Sequence, residues 1–319
     1  MITTLPAGAP PGRLAFPMAP RSTPTGIDAD EARVPTADGT ALRVLVRRAG
    51  SDGGDLPPLV LVHGLASNCR MWDGAAAHFR RHGVTTVAVD LRGHGRSDKP
   101  DHGYDFDTVS DDIVSVIDWL GVERAVVVGQ SWGGNVVVHL AHRHPGRIHG
   151  AVAVDGGMIE LGRTFEKWDD CSRVMRPPTL AGMRAGRLEA AIRAANGDWP
   201  ETGIDGTLAN FEHLDDGTIR PWLTLERHLA ILRHLWEHQP SRLFPRIERP
   251  ILFVPADSGD VSWTRGKEAA IDEALNLLPR ARAHWFRPAH HDVHAQHPER
   301  FAEVVLSHLR DGFLTGDVA

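Results

Sequence analysis

The stretch "VVVGQSWGGNVVVHL", residues 126–140, sets a serine between glycines two positions away on either side, with an apolar run before it and another after it. In an ordinary glycine-rich loop Ser131 would be one polar residue among several. Here the first run has the length of a buried strand and the second the spacing of a helix, so Ser131 falls on the corner between them. To present its oxygen above a sheet, a serine at such a corner takes a strained backbone, and side chains two residues away would collide. Gly129 and Gly133 relieve that crowding, and Gly134 lets the helix approach. The pattern G-x-S-x-G, placed between a strand and a helix, marks Ser131 as a nucleophile.

Working outward, the same strand character recurs in "PPLVLVHG" (57–64), "VTTVAVD" (84–90) and "IHGAVAVD" (148–155). Short, continuously apolar runs are what parallel strands covered on both faces require. Between them lie "MWDGAAAHFRRHG" and "DTVSDDIVSVIDWLG", each closed by a glycine suited to a helix C-terminus. Upstream, "ARVPTADGTALRVLVRR" (32–48) is a hairpin through Asp38-Gly39. Strands alternating with helices predict a mostly parallel, doubly wound α/β sheet of about eight strands. The alternation stops after Asp155. Residues 157–246 hold helix-like pieces and no comparable strand run, and alternation resumes at "RPILFVPA" (249–256). The expected organisation is a flexible arm over 1–30, a core over 31–156 and 247–319, and a helical insertion over 157–246.

Composition narrows the function classes. Of 319 residues, 42% are hydrophobic and 24% charged, with a formal net charge of −6, which gives no basic footprint for nucleic acid. No apolar run approaches the roughly 18 residues of a membrane span. The first 31 residues lack the basic and apolar regions of a signal peptide, and two cysteines, Cys69 and Cys171, make no disulfide framework. A cytoplasmic protein acting on a small molecule, without membrane insertion, is expected. Nothing in the sequence fixes the oligomeric state.

A serine needs a base. The loop before the closing helix, "FRPAHHDVHAQHPERFAEVV" (286–305), offers four of the 19 histidines. With "LVLVHGLASNCRMWD" (59–73) and "VDLRGHGRSDKP" (89–100), it makes the chain resemble the α/β-hydrolase fold superfamily from about residue 31 to 312, as a capped serine hydrolase of esterase or lipase type. The resemblance implies a histidine seven residues before the proline that opens the last helix. Counting back from Pro298 gives His291. His290 is its rival, and His294 and His297 read as solvated or structural. Three histidines at 291, 294 and 297 also suggest a metal site, but the loop setting and the missing cysteine or paired acidic ligands argue against it. No metal or organic cofactor is expected.

The match further implies an oxyanion hole from the backbone N–H groups of Leu65 and Trp132, a turn shaped by His63 and Gly64, and Asp90, Arg92 and Gly93 as scaffold. The family usually places the acid after the penultimate strand, here "ILFVPADSGDVSW" (251–263), where the common spacing falls on Gly259. The nearest carboxylates are Asp257 and Asp260. Asp260 is favoured, with one residue of loop insertion; Asp155 is the alternative, because some members supply the acid from the sixth strand. The insertion resembles the family's cap, carrying Trp168, Trp199, Trp222, Trp236, Phe165 and Phe211, some expected to face Ser131. The implied reaction is acyl transfer on an ester, thioester or lactone of a small to medium apolar substrate. C–C bond hydrolysis, aminopeptidase or acyltransferase chemistry, and a ligand-binding module without turnover, remain alternatives.

Overall fold

A computed structural model describes residues 29–50 and 56–316. Most of the arm expected over 1–30, with its reading as free of a signal peptide, lies outside the described residues; Asp30 already begins the first strand. An eight-stranded sheet is built from β1 (Asp30–Pro35), β2 (Ala41–Arg47), β3 (Leu59–Val62), β4 (Thr86–Val89), β5 (Ala125–Gln130), β6 (Ile148–Val154), β10 (Ile251–Val254) and β11 (Ala281–Ala283). The spatial order is β1-β2-β4-β3-β5-β6-β10-β11. The first two strands form the antiparallel hairpin, β2 meets β4 antiparallel, and every later pairing is parallel. Strands β3 to β6 and β10 are buried along almost their whole length, as their apolar runs demand.

The helices α1 (Asp73–Arg81), α2 (Phe106–Trp119) and α3 (Trp132–Arg143) connect the central strands. In α2, Val109, Ile113, Val116 and Ile117 are fully buried, the helical spacing turned toward the sheet. The chain leaves β3 toward β4 on one side and returns to β5 on the other. The C-terminal ends of β3 and β5 therefore meet at a topological switch point, where open α/β sheets bind ligands.

The insertion after β6 carries α4 (Leu161–Thr164), α5 (Trp168–Val174), α6 (Ala185–Ala195), α7 (Glu201–Leu208) and α8 (Leu225–Glu237). It also contains β7 (Met183–Arg184), β8 (Phe211–His213) and β9 (Thr218–Pro221), paired antiparallel in the order β7-β9-β8. These strands, absent from the expectation, are two to four residues long, too short for period-2 alternation to register. The core closes with α9 (Val261–Leu277), α10 (Val293–Gln296) and α11 (Pro298–Arg310). Among the described residues, no helix is long and apolar enough to cross a membrane.

Candidate active site

Ser131 sits between β5 and α3 with φ +55° and ψ −120°. Three non-glycine residues among those described have positive φ: Ala66, Ser131 and Asp155. Each follows the end of a central strand. Left-handed backbone at a side-chain-bearing residue costs of order 1–3 kcal/mol and persists only where its surroundings enforce it. The enforcement is visible at the neighbours: a Cβ on Gly129 would lie 2.0 Å from the Gly133 carbonyl oxygen, and one on Gly133 would lie 2.4 Å from that of His63. The Ser131 N–H donates to the Val154 carbonyl at 2.8 Å, which fixes the corner against the residue preceding Asp155.

His291 Nδ1 donates to Asp155 Oδ2 at 2.5 Å. The carboxylate side chain is 3% exposed and the imidazole 52%, so the acid is enclosed and the ring remains reachable. The expectation that favoured Asp260 as this partner is therefore corrected. Asp260 is exposed and opens α9, its carbonyl accepting from the Thr264 N–H at 2.9 Å. Asp257 is occupied within its own loop, accepting from the Gly259 N–H at 2.8 Å and the Thr264 hydroxyl at 2.7 Å.

The physical reason is the path of the chain after β11. Residues 284–289 run beside the end of β10, with His284, Phe286 and Ala289 N–H groups donating to the carbonyls of Phe253, Pro255 and Asp257. That segment delivers His291 inward, where its carbonyl accepts from Gln130 Nε2 at 3.4 Å. Strand adjacency alone suggested that the β10 loop would meet His291. The loop instead crosses β10 to the end of β6.

Asp155 has a second partner that sequence reasoning missed. Lys267 Nζ on α9 donates to Oδ1 at 2.6 Å and to the Ala256 carbonyl at 2.5 Å, while the Ala256 N–H donates to the same Oδ1 at 2.9 Å. Burial opposes the Asp155 charge, but His291 and Lys267 outweigh it and hold the carboxyl below its ordinary pKa. At His291, desolvation opposes the imidazolium; the hydrogen bond to Asp155 and the charges of Asp292 and Asp155 overcome it and the field of Lys267, raising the pKa above the ordinary 6.5.

The turn after β3 is held by two buried histidines. His63 Nδ1 donates to the Gly64 carbonyl at 2.7 Å, and Nε2 accepts from the Leu91 N–H at 3.1 Å. His94 Nδ1 donates to the Arg92 carbonyl at 3.0 Å, and Nε2 accepts from the Ala66 N–H at 3.3 Å. The His94 ring also stacks on Trp132 at 5.6 Å. Burial lowers both pKa values, so both rings are neutral clamps. Trp132 opens α3, and the first amides of a helix have no intrahelical acceptor. Asp90 accepts from the Cys69 and Arg96 N–H groups at 2.8 and 2.9 Å, and Arg92 forks onto Asp112 with two bonds of 2.7 Å. Both serve the scaffold.

The other histidines of the last loop do not converge on His291. His294 is buried against Trp72, ring centroids 4.1 Å apart, and His297 stacks on Phe286. His290 is exposed and faces Trp199. A different triad, His78, His82 and Glu303, brings ligand atoms within 4.8 Å. Its Nε2 atoms face Glu303 at 2.6 and 3.1 Å, while Arg81 and Arg310 donate to the Nδ1 atoms. Those donors place the ring protons on Nε2, so the group is a satisfied hydrogen-bond network on α1 and α11. Among the insertion's aromatics, Trp168 and Trp236 pack together beneath Arg233, whereas Phe211 lines a cavity shared with the loop after β3.

Residues 57–200 match the α/β hydrolase fold family. The chain is 38% identical to a non-heme chloroperoxidase of Streptomyces lividans over 279 residues, 87% of this chain and 99% of the relative. It belongs to the α/β-hydrolase fold family. Esterase YbfF of Escherichia coli (strain K12) is 26% identical over 80% of this chain and 93% of its own length. The AB hydrolase superfamily protein YisY of Bacillus subtilis (strain 168) matches at 30% over 52% of this chain and 58% of the relative. Among solved structures, that of E-2-(acetamidomethylene)succinate hydrolase superposes with a TM-score of 0.72 at 23% identity, covering 88% of this chain and 98% of that one. The family match over residues 57–200 includes Ser131 and Asp155.

Proposed function

We propose that this α/β-hydrolase is a serine hydrolase that cleaves an ester, thioester or lactone of a small to medium apolar substrate through an acyl-enzyme on Ser131. The observation that carries the reading is one conjunction: a serine held at φ +55° on the strand-to-helix corner, its neighbour Gln130 bonded to the carbonyl of His291, and the Nδ1 of that histidine bonded to a buried aspartate. Asp155, bonded to Nδ1, leaves the His291 Nε2 lone pair free to take the Ser131 proton. The Ser131 oxygen adds to the carbonyl carbon, and the negative charge that forms on the carbonyl oxygen meets the Leu65 and Trp132 amides. His291 then returns its proton to the leaving group as that bond breaks. Water, deprotonated by His291, releases the acid and restores the serine.

The insertion acts as a cap, its apolar faces excluding bulk water from this sequence of steps. An esterase name among the relatives points the same way. The test is turnover of p-nitrophenyl esters of graded chain length, with lactones and thioesters beside them. Hydrolysis that vanishes in Ser131→Ala supports the proposal; hydrolysis that persists in that variant overturns it.

A further inference from the structure

Asn135 lies on α3, one turn past Ser131, and is fully buried, as are the three valines that follow it. A buried amide costs stability unless its hydrogen-bonding positions are met, two on the oxygen and two on the nitrogen. Here all of them are met. Oδ1 accepts from the Gly157 N–H at 2.9 Å and the Ile159 N–H at 3.3 Å, while Nδ2 donates to the Ile159 carbonyl at 2.8 Å and to His238 Nδ1 at 3.1 Å. The first three of those bonds go to the turn that follows β6. The last goes to the residue at which the chain leaves α8.

That turn begins with Asp155. Its φ of +43° is a conformation that persists only where the surroundings enforce it. Two sets of contacts do so. Gly156 and Gly134 let the turn lie directly on the start of α3: a Cβ on Gly156 would lie 2.1 Å from the Ser131 carbonyl oxygen, and one on Gly134 would lie 2.8 Å from the Gly157 nitrogen. The Asn135 bonds then fix the course of the chain just beyond the acid. One helical turn thus carries both the nucleophile and the group that holds the backbone of its acid, and the Asn135 N–H itself donates to the Ser131 carbonyl at 3.3 Å. Burial pushes the His238 pKa down to about 3, so its lone pair persists and this clamp stays closed where His291 titrates.

We infer that Asn135 is a positioning residue for the reaction: by holding Gly157 and Ile159 it sets where the Asp155 carboxylate meets His291. The inference rests on the serine-hydrolase reading and adds a residue on which that site depends. The amide is spent on its own bonds, so its effect reaches the chemistry through the turn. Without it the chain is freed two residues past Asp155, the carboxylate drifts from Nδ1, and the 2.5 Å bond that stabilises the imidazolium lengthens. A misplacement on the order of 1 Å is enough to cost about a hundredfold in rate.

The test follows one p-nitrophenyl ester across pH in the wild type, in Asn135→Ala, in Asp155→Asn and in the double variant. Asn135→Ala should lose about a hundredfold in kcat with KM little changed. Its acid limb in kcat/KM should move to lower pH by about half a unit, because a weakened Asp155 bond no longer raises the His291 pKa as far. The charges of Asp292 and Lys267, which also bear on His291, stay in place. In the Asp155→Asn background the same change should cost no more than about twofold, the mark of a residue that acts through Asp155. Gly134→Ala sets a methyl group against the Gly156–Gly157 backbone, in a helix that otherwise favours alanine. It should move the limb the same way, and it decides the question if Asn135→Ala does not fold. A limb that stays put, or a loss that persists undiminished in the Asp155→Asn background, means that Asn135 supports only the fold and overturns the inference. Failure of the underlying reading looks different, since the wild type would then hydrolyse no ester and take no fluorophosphonate.

Discussion

Lys267 donates to the Asp155 oxygen that His291 leaves open, at 2.6 Å. One carboxylate is thus gripped from both sides, by a fixed cation on α9 and by an imidazole whose charge changes. The cation helps keep Asp155 ionised, and it also lowers the His291 pKa against the two carboxylates that raise it.

Replacing Lys267 with methionine should therefore move the acid limb of the kcat/KM profile upward, by on the order of half a unit to one unit. Without the cation, the imidazolium is opposed by one fewer positive charge. Activity on the alkaline plateau should fall by no more than about tenfold, since Asp155 still meets His291 and the Ala256 N–H. An unmoved limb would show that Lys267 only packs against the loop.

In the wild type the acid limb should lie above the ordinary imidazole value of 6.5. His291 must be neutral to accept the Ser131 proton, so raising its pKa means that activity is lost at a higher pH as the medium acidifies. The stability sign is separate. A histidine whose folded pKa is raised stabilises below its unfolded pKa, and that contribution fades as pH rises through the folded value. Activity and His291-linked stability should consequently change in opposite directions through this window, seen by rate profiles and urea unfolding at pH 6 and 9.

Asp155→Asn should lose about 10⁴ in kcat, because an amide can hold the ring with the wrong tautomer. Asp260→Asn and Asp257→Asn should stay within about tenfold of wild type. Steady-state kinetics on one ester for the three variants decides this, and a crippled Asp260→Asn would mean that the acid lies in the loop after β10.

Arg92→Met should destabilise the protein by about 3–5 kcal/mol in urea unfolding. Asp112 is 2% exposed beneath that guanidinium, and burial already pushes its carboxyl above the ordinary value. Removal of Arg92 strands it. Asp112→Asn in the same background should recover part of the loss by removing the stranded charge.

The fold was readable because its signals are local. The runs around Leu59, Val87 and Val126, and the corner at Ser131, report burial and backbone shape through neighbouring residues. His291, which the structure bonds to Asp155, is singled out by its distance from Pro298, again a local relation. The carboxylate partner of His291 is not readable in that way, because it depends on where the 284–291 segment crosses, a path set by hydrogen bonds to Phe253, Pro255 and Asp257. Lys267 escaped for the same reason: nothing nearby in sequence distinguishes a lysine aimed at Asp155 from one in solvent. The two lone-pair acceptors His63 and His94 sat inside quoted motifs, yet their clamping of Gly64 and Ala66 follows only from the folded turn.

The central claim is that Ser131 is an activated nucleophile. Its most direct test is reaction of the purified protein with a fluorophosphonate, followed by intact mass and peptide mapping. One adduct per chain, located on Ser131 and strongly slowed in Asp155→Asn and His291→Ala, is the predicted result. An unlabelled protein, or an adduct on another residue with Ser131 unmodified, would contradict it.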